Sequence, residues 1–154
     1  MTWEKLPITK IEEVIGYEFK DKDLLKQAFT TVRYWYNKTT YNHDLLPYVG
    51  NGIIIDEVFD LVKVNELTQE KAVLIKNCMS QFWLSLIKKL HFDEYLIYAP
   101  NEKLTNYQLV AEIISIFPLL VCAVYFDENK EVTNNVKKVI QKLLGTIIWK
   151  DKTC

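Results

Sequence analysis

The sequence predicts a single all-α domain. Apolar residues recur three or four positions apart in four long stretches, a spacing that places them on one face of a helix; these stretches are residues 43–62, 68–90, 104–126 and 133–144. The chain has 154 residues, 49% of them hydrophobic, which is enough for one domain with a sizeable core. We therefore divide it into an N-terminal arm (1–10), a helical domain (11–145) and a C-terminal tail (146–154).

The first elements follow from short patterns near the N-terminus. Pro7 is expected to keep the arm extended, with Trp3 and Leu6 packing on the body of the domain. The next apolar residues predict a short helix that ends at Gly16, since glycine is the usual residue after a helix C-terminus. Asp21 is then positioned to begin a second helix, whose apolar face is formed by Leu24, Leu25, Ala28 and Phe29.

Residues 33–42 mix aromatic and cationic side chains, among them Arg33 and Trp35. Such a mixture can stack on bases and contact phosphates, so Arg33 and Trp35 are candidate RNA contacts. Two other interpretations stay open: a loop whose rings fold back on the core, which is commoner, and a contact with a protein partner.

The stretch 43–62 predicts a helix that Asp44 caps and that carries Pro47 in its first turn. Apolar residues cover most of its circumference, so we expect this helix to lie deep inside the domain. Gly50 and Gly52 weaken a helix interior by roughly 0.5–1 kcal/mol each relative to alanine. Their presence predicts that another backbone packs very close to this helix.

The later stretches predict three or four further helices. Residues 68–90 form one or two amphipathic helices, and residues 104–126 form a very apolar helix with Pro118 in its interior, where we expect a kink. The last helix, 133–144, ends before Gly145. Its outward face carries Lys137, Lys138 and Lys142, a strip that could meet RNA phosphates, although such a strip is more often a solvated face.

Composition excludes several classes of function. The net charge is −1, so no overall electrostatic attraction to nucleic acid is expected.

Cys78 and Cys122 lie in apolar patterns and are interpreted as reduced core residues, which favours an intracellular location. We find no run near the roughly 18 apolar residues of a membrane span and expect no membrane association. No sequence pattern for a cofactor is present.

Several ordered segments resemble the ribonuclease III family. Residues 11–30, IEEVIGYEFKDKDLLKQAFT, are similar to the opening of its nuclease domain, with a departure at Thr31, where the family usually has histidine. Residues 44–51, DLLPYVGN, align with its signature Glu-Arg-Leu-Glu-Phe-Leu-Gly-Asp, and residues 109–127 align with its second acidic segment. The resemblance implies an all-α, dimer-forming domain. It also implies that the signature helix contacts the partner, through Tyr48, Gly50, Gly52 and Ile55.

The same alignment implies that the family's metal-binding carboxylates are replaced. Their four principal positions hold Pro47, Asn51, Ser115 and Pro118. Two-metal phosphodiester hydrolysis requires several carboxylate ligands that converge on magnesium, so we expect no metal, no cofactor and no catalysis here.

Three hypotheses of function remain open. The first is an inactive ribonuclease III-like domain that serves as a dimerisation or protein-interaction module in an RNA-processing or ribonucleoprotein complex, as a homodimer or with another ribonuclease III-family protein. The second is a divergent magnesium-dependent endonuclease for double-stranded RNA, with Asp44 and Glu112 as displaced acids. The third is a structural subunit that binds double-stranded or otherwise structured RNA, such as a mitochondrial ribosomal protein.

Overall fold

The computed structural model describes residues 1–31 and 45–149, and within these it contains seven α-helices. They are α1 (Ile8–Ile15), α2 (Lys22–Ala28), α3 (Leu46–Lys63), α4 (Gln69–Asn77), α5 (Met79–Lys89), α6 (Asn106–Asp127) and α7 (Asn134–Leu144). Short 3-10 turns lie at Trp3–Lys5 and Phe92–Tyr95. The all-α prediction is confirmed, and the stretch 68–90 is two helices that meet at Cys78.

The central element of the fold is α6. Eleven of its 22 residues are buried, and α2, α3, α5 and α7 pack against it. The expectation that the 43–62 helix lies deep inside the domain is wrong, because α3 buries only Gly50, Ile54, Glu57 and Val58. Its other apolar residues are half-buried or exposed, although α4 and α7 also contact this helix.

The composition of α6 also corrects the expectation about membrane-length segments. Among the described helices, α6 alone is long and apolar enough, by length and composition, to cross a bilayer. Its position explains this composition, because the surrounding helices make both sides of α6 part of the protein core. A helix that is apolar all round is expected at such a buried position.

Both ends of the described chain belong to the packed body. Trp3 and Leu6 are buried as expected, but the arm is not extended: its first residues form a 3-10 turn and α1 begins at Ile8. Pro7 precedes the helix instead of blocking it, at a position where its missing N–H costs nothing. At the other end, Ile147 is buried.

A buried carboxylate fixes the connection between α1 and α2. At the C-terminal end of α6, Asp127 accepts hydrogen bonds from the Tyr17 hydroxyl at 2.6 Å, the Lys20 amide at 2.9 Å and the Asp21 amide at 3.0 Å. Burial and the bond to Asp127 raise the pKa of Tyr17. Gly16 ends α1 with φ = 77°, as predicted, and this left-handed conformation lets the chain turn towards Asp127.

The cysteines differ from one another. Cys122 is a buried free thiol, and burial raises its pKa to about 12, so it is an unreactive core residue as expected. Cys78 is disulfide-bonded, which corrects its interpretation as a reduced residue. The intracellular location stays a prediction and no longer has Cys78 as support.

Candidate functional site

The candidate site lies where α3 crosses α6. The Cys122 thiol donates to the Leu46 carbonyl at 3.1 Å, and Gly50 lies against Pro118. The later residue of α3 thus contacts the earlier residue of α6, which means that the two helices are antiparallel. These two helices carry the four positions that the resemblance to ribonuclease III assigns to metal-binding acids: Pro47 and Asn51 on α3, Ser115 and Pro118 on α6.

Gly50 permits this crossing. A Cβ atom built on Gly50 would lie 2.6 Å from the carbonyl carbon and 2.8 Å from the Cα of Pro118, closer than atoms pack in proteins. The expected close backbone is therefore present, but it belongs to α6 of the same chain. This corrects the assignment of Gly50 to a dimer interface, because Gly50 is buried inside one copy.

Asn51 is held by an internal hydrogen bond. The indole N–H of Trp83, on α5, donates to Asn51 Oδ1 at 2.8 Å. Trp83 is fully buried and lies edge-on to Phe117 of α6, with ring centroids 4.7 Å apart. A buried indole N–H requires an acceptor, and Asn51 supplies it. The side-chain oxygen of Asn51 thus satisfies a buried donor of the core.

The remaining positions do not fit magnesium. Pro47 and Pro118 have no side-chain oxygen, and the Ser115 hydroxyl donates to the Ala111 carbonyl at 3.0 Å. Magnesium favours carboxylates and water in octahedral geometry. In the part of the chain that the structure describes, no group of three or more His, Cys, Asp or Glu side chains could hold a metal ion.

The endonuclease hypothesis names two displaced acids, Asp44 and Glu112, and the structure describes only Glu112. Glu112 is half-buried on α6, one turn before Ser115, whereas Asp44 lies outside the described residues. The predicted cap of α3 by Asp44 is therefore untested, and Leu45 occupies the position that precedes the helix.

The outer face of α3, opposite to α6, is apolar and exposed. Leu45 is 57% exposed, Tyr48 76% and Val49 44%. Gly52 lies at the centre of this face, and a Cβ atom built on it would meet nothing within 4 Å. Ile55 and Phe59 continue the face and are half-buried. Tyr48, Gly52 and Ile55 of the predicted interface thus lie together on one surface.

The predicted basic strip is interrupted. The Lys142 ammonium folds over the end of α1 and donates to the Glu13 carbonyl at 3.1 Å, while Lys137 lies beside the carboxylate of Glu57. Lys138 is exposed. The three lysines therefore have different surroundings and do not present one continuous cationic surface. Arg33 and Trp35 lie outside the described residues.

Sequence patterns did not single out two buried polar contacts. Trp83 is 32 positions from Asn51, and no spacing rule links residues so far apart on different helices. Glu57 is only 5% exposed; it accepts a 3.4 Å hydrogen bond from Gln141 of α7. Burial raises the pKa of Glu57, with the Gln141 bond and the Lys137 charge acting in the opposite direction.

Comparison with known proteins identifies the class of fold. The nuclease domain of ribonuclease III from Campylobacter jejuni superposes with a TM-score of 0.68 at 17% identity, covering 92% of this chain and 98% of that domain. A second structure of that domain gives a TM-score of 0.65, also at 17% identity, over 90% of this chain and 93% of that one. The fold is therefore that of a ribonuclease III nuclease domain.

Sequence comparison points to the same family. The chain is 28% identical to ribonuclease 3 of Helicobacter pylori strain G27 over 147 residues, 90% of this chain and 58% of that protein. It is also 28% identical to the endoribonuclease dcr-1 of Caenorhabditis elegans over 102 residues, 62% of this chain and 5% of that protein. No family model matches the sequence. The resemblance to ribonuclease III is confirmed, and the chain spans about 58% of the length of the Helicobacter relative.

Proposed function

We propose that this chain is a ribonuclease III-type domain that does not cleave RNA and that acts by pairing with a second protein subunit through the outer face of α3. The observation that carries the proposal is the use of Asn51. Its only side-chain oxygen accepts the buried indole N–H of Trp83, and the other three aligned positions offer two prolines and a serine. Asn51 and Pro118 thus serve the packing of the helices, since Asn51 binds the buried Trp83 and Pro118 lies against Gly50.

The residues at these four positions support the proposed lack of catalysis. Two-metal hydrolysis of a phosphodiester needs carboxylates that hold both ions and orient the attacking water. Prolines supply neither charge nor oxygen, and the Gly50–Pro118 contact brings the two backbones together at this point. Two carboxylates, those of Asp44 and Glu112, are too few for tight magnesium binding.

A cleavage assay tests this part directly. The purified protein is incubated with duplex RNA in magnesium or manganese, with an active ribonuclease III as the positive control. We expect no product above the RNA-only background. Cleavage that Asp44→Ala or Glu112→Ala removes would overturn the proposal and favour the divergent endonuclease.

The pairing function rests on the exposed apolar residues of α3. Monomeric proteins rarely expose a contiguous apolar surface without a use for it, and one structure of the Campylobacter jejuni nuclease domain concerns a region involved in dimer formation. The partner is a second copy of this chain or another ribonuclease III-type protein, within an RNA-processing or ribonucleoprotein complex.

A matched pair of variants tests the pairing surface. Tyr48 and Tyr107 are both highly exposed, at 76% and 86%, on α3 and α6 respectively. In sedimentation of the protein with its partner subunit, Tyr48→Arg should weaken the complex at least about tenfold, because it places a charge in an apolar contact. Tyr107→Arg should leave it unchanged, and equal effects of the two variants would rule out the α3 surface.

A further inference from the structure

The chain contains three cysteines, and they differ in chemical state. Cys78 is disulfide-bonded, whereas Cys122 is a buried free thiol. The remaining cysteine of the sequence is Cys154, which lies outside the described residues. A disulfide within the chain joins Cys78 to a cysteine other than Cys122, so the count leaves Cys154 as its partner.

Residues 146–149, which we call the strap, lie along α5. At the start of the strap, the Thr146 carbonyl accepts a hydrogen bond from the Lys89 ammonium at 2.9 Å, at the C-terminal end of α5. At its end, the centroids of the Trp149 and Phe82 rings are 5.4 Å apart. The two contacts are separated by about 10 Å along the helix and about 10 Å along an extended strap. The strap thus runs antiparallel to α5, towards the N-terminal end of that helix.

The chain reaches Cys78 if it continues in this direction. The Phe82 amide donates to the Cys78 carbonyl at 3.2 Å, so Cys78 lies one turn before Phe82, about 6 Å along α5. Cys154 is five residues beyond Trp149, and five residues span up to about 17 Å. Cys154 is therefore within reach of Cys78.

Noncovalent contacts hold the strap on the domain. Ile147 is buried, and the Lys71 ammonium of α4 lies 4.9 Å from the centroid of the Trp149 ring. The end of the strap thus lies beside the junction of α4 and α5. A thiol tethered there by five residues meets Cys78 at a high effective concentration, which favours closure of the bond.

We propose that Cys78 and Cys154 form a reversible disulfide that fastens the strap to the junction of α4 and α5 and that opens under reducing conditions. Closure transfers two electrons and two protons from the two thiols to a small-molecule disulfide, which becomes two thiols. A dithiol reverses the reaction: one thiolate attacks a sulfur of the pair, the other resolves the mixed disulfide, and both cysteine thiols are released. This inference is independent of the pairing surface on α3.

The bond has consequences for the strap and for the whole domain. It closes a loop from residue 78 to residue 154, which includes α6 and α7, and a cross-link across so long a loop restricts the unfolded chain. In the reduced protein, only noncovalent contacts hold the strap. The strap should then detach more often and expose Ile147 and Trp149, so that its position depends on the redox state of the surroundings.

Peptide mapping tests the pairing. Protein that has been equilibrated with oxidised glutathione, and that runs as a monomer on a non-reducing gel, is denatured, alkylated and digested with trypsin. We expect alkylation of Cys122 alone and a linked species that joins peptide 77–88 to dipeptide 153–154. Reduction before alkylation should separate these two peptides and label all three cysteines. A bond between Cys78 and Cys122, or a free Cys78 after oxidation, would overturn the proposal.

Limited proteolysis of the folded protein tests the opening. Trypsin cleavage after Lys150, next to the strap, should be at least about tenfold faster in reduced than in oxidised protein, because a detached segment is accessible to the protease. Cys154→Ser should be cleaved at the rate of reduced wild type, with or without reductant. Cys122→Ala is the matched control and should keep the full response, since its bonded pair is intact. Equal rates in oxidised and reduced wild type would exclude the opening.

Thermal unfolding provides a second measurement. Reduction should lower the melting temperature of wild type by about 10 °C and leave that of Cys154→Ser unchanged. If Cys78 served only to pack the junction of α4 and α5, neither protein would respond to reductant. That result would overturn the proposal without bearing on RNA cleavage or on the pairing surface.

Discussion

Two glycines of α3, two positions apart, have opposite surroundings. Gly50 lies against the backbone of Pro118 with no room for a Cβ atom, whereas nothing lies within 4 Å of a Cβ on Gly52. The inner face of α3 is thus fixed by a contact between two backbones, and the outer face is open. The difference shows that one apolar helix has a packed face, which holds the domain together, and an exposed face.

The largest effect is expected at Gly50. Gly50→Ala places a methyl group on the backbone of Pro118, which cannot rotate away as a side chain could. We expect the free energy of unfolding to fall by about 3 kcal/mol or more, at the upper end for overpacked cores. Urea unfolding measures it, and an unchanged midpoint would show that α3 and α6 do not meet as described.

A smaller loss of stability is expected when the hydrogen bond between Trp83 and Asn51 is removed. Trp83→Phe removes the indole N–H and leaves Asn51 Oδ1 without this donor, which should cost about 1–3 kcal/mol together with the lost packing. The interaction itself is isolated by a double-mutant cycle with Asn51→Ala. A coupling energy indistinguishable from zero would mean that Asn51 does not serve as the acceptor for Trp83.

Glu57, also buried on α3, predicts a pH dependence. Its folded-state pKa is raised because burial disfavours the charged form, so its contribution to stability is greatest below the ordinary glutamate pKa. That contribution is lost as the pH rises through the raised value. Glu57→Gln should therefore match wild type near pH 4 and become progressively more stable than wild type towards neutral pH, as measured by urea unfolding.

Glu128 provides a control of opposite sign. Hydrogen bonds from Asn135 and Thr133 lower its pKa, so its contribution is present above the ordinary glutamate pKa and declines as the pH falls. Glu128→Gln should be the less stable protein at neutral pH and approach wild type in acid. If both variants followed the same trend, burial would not be the cause of the effect at Glu57.

The smallest effect completes the comparison at Gly52. Gly52→Ala fits the helix and meets no neighbour, so it should stabilise the monomer by roughly 0.5–1 kcal/mol. Unfolding is measured at low protein concentration, where association does not contribute. Loss of stability on the scale of Gly50→Ala would show that the outer face is covered within one copy.

Local sequence patterns were sufficient to predict most helices. Apolar spacing and capping residues predicted α1, α2 and α7, because these signals lie within or next to each helix. The same patterns overestimated the burial of α3, because the number of apolar residues does not say which face of a helix contacts the core. The aligned positions Pro47, Asn51, Ser115 and Pro118 were identified by resemblance to the family. The Trp83 bond and the Gly50–Pro118 contact depend on which helices become neighbours, and spacing does not contain that information.

The Tyr17–Asp127 hydrogen bond joins positions 110 residues apart. Contacts at such sequence separation form only after the intervening chain has been ordered, and their closure entropy delays them. We therefore expect the N-terminal segment to dock late in folding, after the other helices have packed against α6. During synthesis, Tyr17, Lys20 and Asp21 cannot donate to Asp127 until residue 127 has left the ribosome.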